Sequence, residues 1–232
     1  NSRSQSNTIF LELCQLFSVK INKNAQNPCL CAEKSGLFMI HIAIFASGNG
    51  SNAENIIRYF SGSSRIRVAL VVSNKKDAPV HARANALEVP SCTFTKAEFD
   101  EGSEVLGALR QYGIDFIVLA GFLLKVSAPL LDAFPGRIIN IHPALLPKHG
   151  GMGMYGDRVH RAVVEAGDTE SGITIHYINE NYDEGDIFFQ AACDVLPTDS
   201  ADEVARKVHE LEYLHFPKVI EEVIDGMFPS GE

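Results

Sequence analysis

Apolar and polar positions change period along the chain, and the changes mark out elements. Residues 38–45 (FMIHIAIF) form a short apolar run that predicts a strand starting near Met39. Residues 51–60 (SNAENIIRYF) space their apolar side chains as one face of a helix. The alternation continues with a strand over 66–73, a helix over 78–87, a short strand over 90–94 and a helix over 96–113 that stops at Gly113. A fully apolar strand over 114–122 follows, then a short helix over 127–134 with Ser127 as N-cap, then a strand over 136–142. Short apolar strands alternating with amphipathic helices imply parallel βαβ units, so the expected fold is α/β with a doubly wound, mostly parallel, Rossmann-like sheet.

The texture changes after His142. Residues 143–157 are rich in Gly and Pro and read as a loop, and 158–167 as a helix. Strands over 172–178 and 186–195, joined by NENYDEG, predict a hairpin-like antiparallel extension of the sheet. Residues 200–224 predict a long terminal helix interrupted at Pro217. Ser200 with Glu203 three residues on is a capping box.

Composition narrows the class. The 232 residues suit one large domain or two small ones, and 46% hydrophobic with 21% charged is ordinary for a globular protein. A net charge of −9 argues against a general nucleic-acid or anionic-membrane surface while leaving room for a small local anion site. Cys14, Cys29, Cys31, Cys92 and Cys193 form no CxxC pair and no zinc-ligand spacing, so no metal is expected. Cys92 and Cys193 sit in apolar runs as small core residues, and a reducing cytoplasm is the default compartment. No apolar run reaches the roughly 18 residues of a membrane span. Residues 1–38 contain IFLELCQLFSV, but KINKNAQNP follows instead of a small-residue cleavage site. They read as an extension outside the fold, with the domain over 39–232.

Three segments carry candidate chemistry. ASGNGSN links the first strand to the first helix. Its glycines let backbone N–H groups converge, and Ser51 and Asn52 add donors at a positive helix terminus, which suits a single phosphate. It is not GxGxxG, it lacks the P-loop lysine, and SNKKD after the second strand offers no clear ribose-binding acid, so NAD is disfavoured. The plainer alternative is a tight turn with nothing bound. In NIHP, Asn140 and His142 lie two apart on a strand and so share a face near its carboxyl end, where open α/β sheets bind ligands. An amide that can donate to an oxyanion beside an imidazole that can move protons suits addition to a carbonyl. Two satisfied polar residues at a strand end would look the same. Asp183 in NYDEGD is either a turn residue or a carboxylate placed to favour a protonated imidazole.

Taken together, IAIFASGNGSN, VVSNKKD, VLAGFLLKVS, GRIINIHPALLPK, SGITIHYINENYDEGD and HELEYLHFPKVI resemble the phosphoribosylglycinamide formyltransferases (GAR transformylases). These are folate-dependent enzymes of purine synthesis within the formyl-folate transferase superfamily. The resemblance covers Met39 to about Asp225. It implies transfer of a formyl group from 10-formyltetrahydrofolate to the glycinamide amine. Gly50, Ser51 and Asn52 would cradle the phosphate, and Glu212 would hold the ribose hydroxyls with His209 nearby. Asn140 would hold the formyl oxygen, His142 would act as general acid and proton shuttle, and Asp183 would keep His142 charged and position a water. Leu123, Leu124, Lys125 and Val126, with Asn179, Glu180, Asn181 and Tyr182, would line the pterin pocket, largely through backbone groups. Gly102 and Leu124 stand where the family often has a basic residue for the folate tail, leaving Lys125 or Lys96 for that role. The loop HGGMGMYGDRVH also departs from many members.

The implied partners are small-molecule substrates, with no nucleic acid, no membrane and no metal, in a cytoplasmic monomer or homodimer. Among rivals, a methionyl-tRNA formyltransferase adds a C-terminal domain and needs a basic RNA-facing surface, and a formyltetrahydrofolate deformylase carries a regulatory domain before the core. A non-catalytic nucleotide-binding module would keep SGNGSN without needing Asn140, His142 and Asp183 to converge.

Overall fold

The structure is a computed structural model that describes residues 39–229; the reading of residues 1–38 as an extension lies outside the described residues. Strands β1 (Ile40–Phe45), β2 (Ile66–Ser73), β3 (Ser91–Thr93), β4 (Phe116–Leu119), β5 (Ile138–His142), β6 (Glu170–Tyr177) and β7 (Ile187–Asp194) form one sheet in the order β3-β2-β1-β4-β5-β6-β7. The first five run parallel, and β6 and β7 pair antiparallel. From β1 the chain winds outward through β2 and β3, then returns to β4 on the other side of β1. That reversal opens a crevice at the carboxyl ends of β1 and β4.

Helices cover both faces: α1 (Ser51–Phe60), α2 (Val80–Ala86), α3 (Lys96–Glu101), α4 (Ser103–Gln111), α5 (Ala128–Ala133), α6 (Asp157–Ala166) and α7 (Ala201–Met227). The period-2 pleat splits β1 between two cores. Ile40, Ile42 and Ile44 pack with α1, α2, α6 and α7, while Ala43 and Phe45 pack with α3, α4 and α5. Burial on both sides explains why these strands read as continuous apolar runs.

Three expectations change in detail. The helix expected over 96–113 is two helices, because Gly102 adopts φ 82° and both ends α3 and starts α4. A Cβ there would also lie 2.9 Å from Pro129. The terminal helix is not interrupted at Pro217; α7 continues to Met227. Proline removes the N–H that would meet the Tyr213 carbonyl, and Asn55 Nδ2 of α1 donates to that oxygen instead at 3.0 Å. Ser127 does stand at the N-cap of α5, yet its hydroxyl makes no capping bond and is buried without a partner. The capping box of Ser200 and Glu203 is present as expected.

Candidate active site

The loop after β1 turns on Gly50, whose φ is 75° and whose Cβ position would fall 2.4 Å from Val80 Cγ2. Only glycine meets both demands. Gly50 is the N-cap of α1 and contributes no side-chain cap, so the first-turn N–H groups face the crevice end of the helix. Arg83 braces the loop from α2, donating from Nε to the Asn49 carbonyl at 2.8 Å and from Nη2 to Asn49 Oδ1 at 2.9 Å. Ser47 ties it to the loop after β4, since the Leu123 N–H donates to Ser47 Oγ at 2.9 Å.

Glu212 of α7 reaches this cradle. It is 5% exposed and accepts from Asn52 Nδ2 at 2.9 Å and from His209 Nδ1 at 2.8 Å. The Glu212 bond raises the His209 pKa above its ordinary value against the opposing effect of burial. His160 of α6 packs edge-on to His209, and burial lowers its pKa. His160 Nδ1 and Asn52 Oδ1 are both buried without a hydrogen-bond partner, which leaves polar capacity beside the cradle.

Asn140 and His142 share a face of β5, as their spacing implies, and their register partners on β6 are His176 and Thr174. Asn140 Nδ2 lies 3.2 Å from His176 Nε2. The other His176 nitrogen, Nδ1, is 2.9 Å from the Tyr177 carbonyl and so must carry hydrogen, which makes Nε2 the acceptor in the neutral ring. His142 is 3% exposed, with Nε2 at 2.8 Å from the His149 carbonyl and Nδ1 at 3.6 Å from Asp183 Oδ2.

Asp183 arrives by an indirect route. Because β6 runs antiparallel, Tyr177 at its end pairs with Ile139, toward the start of β5. The loop to β7 therefore folds back to bring Asp183 to His142. Asp183 adopts φ 55°, a left-handed conformation that Asp tolerates better than most residues. Its Oδ2 accepts from the Gly151 N–H at 2.9 Å, and its Oδ1 lies 3.6 Å from His176 Nε2.

Burial acts upward on the Asp183 carboxyl, but His176, His142 and the Gly151 N–H together hold it below its ordinary value. For His142 the balance differs from the sequence expectation of a charged imidazole. Burial pushes its pKa down, and this outweighs the upward pull of Asp183 and the His149 carbonyl. A 3.6 Å separation is too long for a direct hydrogen bond, so the attraction is only Coulombic.

The residues expected around a pterin are divided. Leu123 is exposed, whereas Val126 is buried in the core with Leu124 packed against it. Lys125 lies over the Tyr182 ring at 5.9 Å, joining the two loops. Asn179 Oδ1 accepts from the Asn181 N–H at 2.8 Å, and Glu180 is exposed. Sequence reasoning missed His176 and Thr174, although GITIHY repeats the signal of NIH: two polar residues, two apart, in an apolar strand. Among the described residues no three His, Cys, Asp or Glu side chains group to hold a metal ion.

The amide of Asn140, the imidazoles of His142 and His176 and the Asp183 carboxylate thus form one polar cluster on β5, β6 and the loop after β6, and the start of α1 leaves first-turn N–H groups without a side-chain cap. A family model described as formyl transferase matches residues 40–220. The chain belongs to the formyl transferase family. It is 43% identical over 220 residues to the phosphoribosylglycinamide formyltransferase, chloroplastic, of Arabidopsis thaliana, covering 90% of this chain and 75% of that one. It is 37% identical over 193 residues to the phosphoribosylglycinamide formyltransferase of Haemophilus influenzae, covering 81% and 89%. The solved glycinamide ribonucleotide transformylase 1 of Symbiobacterium toebii superposes with a TM-score of 0.74 at 31% identity, covering 88% and 94%.

Proposed function

We propose that this chain transfers the formyl group of 10-formyltetrahydrofolate to the amine of 5-phosphoribosylglycinamide in de novo purine synthesis, with Asn140, His142 and Asp183 as the catalytic residues. The observation that carries the residue assignment is their convergence. Asp183 reaches His142 only because a loop folds back across the sheet, and a binding-only module would have no use for that.

The geometry supports the following roles. Ser51, Asn52 and the N–H groups after Gly50 hold the phosphate at the positive end of α1. Glu212 and His209 receive the ribose hydroxyls. The loops around Leu123–Val126 and Asn179–Tyr182 flank the donor's pterin, offering backbone groups and the Lys125–Tyr182 pair. Asn140 donates to the formyl oxygen as negative charge gathers there, an interaction worth about 100- to 1,000-fold in rate for one oxyanion donor. His142 takes the proton that the attacking amine loses and, as general acid, returns it to the departing nitrogen. Asp183 stabilises the imidazolium while it exists. Holding both substrates in one crevice supplies the orientation.

The domain is taken as residues 39–232. The same reading carries small-molecule substrates, a cytoplasmic monomer or homodimer and no nucleic-acid partner, consistent with a net charge of −9. The test is incubation of the purified chain with glycinamide ribonucleotide and 10-formyltetrahydrofolate, with the product mass measured. A formylated ribonucleotide is expected, formed far faster than from the dephosphorylated substrate. No product, or equal rates with and without the phosphate, would contradict the assignment.

A further inference from the structure

The loop that follows β5 holds His142 from behind. A backbone carbonyl only accepts, so the 2.8 Å contact between His142 Nε2 and the His149 oxygen requires hydrogen on Nε2 in every protonation state of the ring. His142 Nδ1 faces Asp183 Oδ2 across 3.6 Å, without a direct hydrogen bond. The neutral ring is therefore the Nε2–H tautomer with its lone pair on Nδ1. The titratable groups around it are Asp183 from the β6–β7 loop, His176 from β6 and His149 from its own loop.

The position of that carbonyl is itself fixed. His149 adopts φ 52°, a left-handed turn unusual for a residue with a side chain, and Gly150 follows where a Cβ would lie 2.5 Å from Leu146 Cδ2. What holds the turn is the His149 ring, whose Nε2 lies 2.6 Å from Asp168 Oδ2. His149 and Asp168 side chains are 16% and 17% exposed. Asp168 is fixed in turn by its N–H, which donates to the Val163 carbonyl near the end of α6 at 3.2 Å. Lys148 also reaches Asp168 Oδ1, at 3.1 Å, but its side chain is 64% exposed and such a pair contributes little.

We propose that His149 and Asp168 are positioning residues for formyl transfer: Asp168 holds the His149 ring, the His149 carbonyl holds His142 Nε2–H, and the proton that His142 moves resides on Nδ1. This rests on the transfer reading above. In the reaction, Nδ1 takes the proton from the attacking amine as the new C–N bond forms. It then returns that proton to the folate nitrogen as the old C–N bond breaks, while the Nε2 hydrogen stays in place. Neither His149 nor Asp168 touches the reacting atoms.

The experiment is nitrogen-resolved NMR of the His142 ring in the full chain above its pKa, paired with steady-state kinetics. The wild type and Lys148→Met are expected to show the Nε2–H tautomer. Asp168→Ala is expected to show a tautomer mixture, with kcat lowered about tenfold or more by misplacement of the ring. Its KM for the ribonucleotide should stay within about twofold, since no ground-state contact is lost. His149→Phe carries the same expectation should Asp168→Ala fold poorly, and His149→Gln, which can still donate to Asp168, should recover most of the rate. An Nδ1–H tautomer in the wild type overturns the proposal whatever the activity. So does an unchanged tautomer and kcat in Asp168→Ala or His149→Phe. A wild-type chain that transfers no formyl overturns the functional reading, and the tautomer result still reports separately on the His149 clamp.

Discussion

Asn140 Nδ2 and His176 Nε2 face each other at 3.2 Å across the β5–β6 ladder, where the two residues are register partners. The bond uses one of the two amide hydrogens and fixes which way the amide points. The second hydrogen is then left for an oxyanion. His176→Phe removes the acceptor and frees the amide to rotate, so kcat should fall roughly 10- to 100-fold with little change in KM. Steady-state kinetics at saturating donor checks this; an unchanged kcat would show that the amide needs no orienting partner.

Asp183 is the main upward influence on a His142 pKa that burial has already lowered. Asp183→Asn removes that attraction while keeping the shape. The His142 pKa should move further down, and the acid arm of the pH–rate profile, where protonation of His142 removes the base, should move with it. An NMR titration of the variant measures the shift directly. No change, or an upward change, would contradict the proposed coupling.

Glu212, bonded to Asn52 and His209, serves the ribonucleotide half of the crevice in the proposed reading. Hydrogen bonds to a charged group are worth about 1.5–3 kcal/mol, so Glu212→Ala should raise the ribonucleotide KM roughly 10- to 100-fold. The folate KM should remain near wild type. A variant that raises both equally would indicate general damage to the site.

Stability should depend on pH in a defined direction. His142 and His160 have folded pKa values lowered mainly by burial, against an unfolded value near 6.5. Below about pH 6.5 the unfolded chain binds protons there that the folded chain does not, so both sites cost stability as the pH falls toward their folded values. His209 works in the opposite sense, because its raised pKa gives a contribution that is full below about 6.5 and is lost as the pH rises through its folded value. Replacing one buried imidazole removes part of the acid cost, so the thermal midpoint of His160→Gln relative to wild type should rise as the pH falls from about 7.5 to 5.5. A difference that stays constant or falls on acidification would contradict the burial argument.

What could be read from the sequence was what local chemistry sets. The period-2 spacing of Asn140 and His142 fixed their common face, the glycines after β1 marked the cradle, and Ser200 with Glu203 announced the start of α7. Features set by distant packing were not readable. Gly102 looks like any helix interruption until Pro129 is seen against it, and the Tyr213 carbonyl that Pro217 leaves without an N–H is met by Asn55 from another helix. The direction of the His142 pKa differs from the expectation for the same reason. A neighbouring aspartate can be guessed from sequence, but the depth of burial that opposes it cannot. The antiparallel extension was readable, but the fold-back of its loop that delivers Asp183 to His142 was not, because it depends on how β6 registers against β5.

The most direct measurement is kcat for formyl transfer to glycinamide ribonucleotide in His142→Ala, with folding checked by circular dichroism. If the imidazole moves the proton between the two nitrogens, kcat should fall by at least about 100-fold while the variant keeps its affinity for the ribonucleotide. A correctly folded His142→Ala variant that turns over at the wild-type rate would contradict the account.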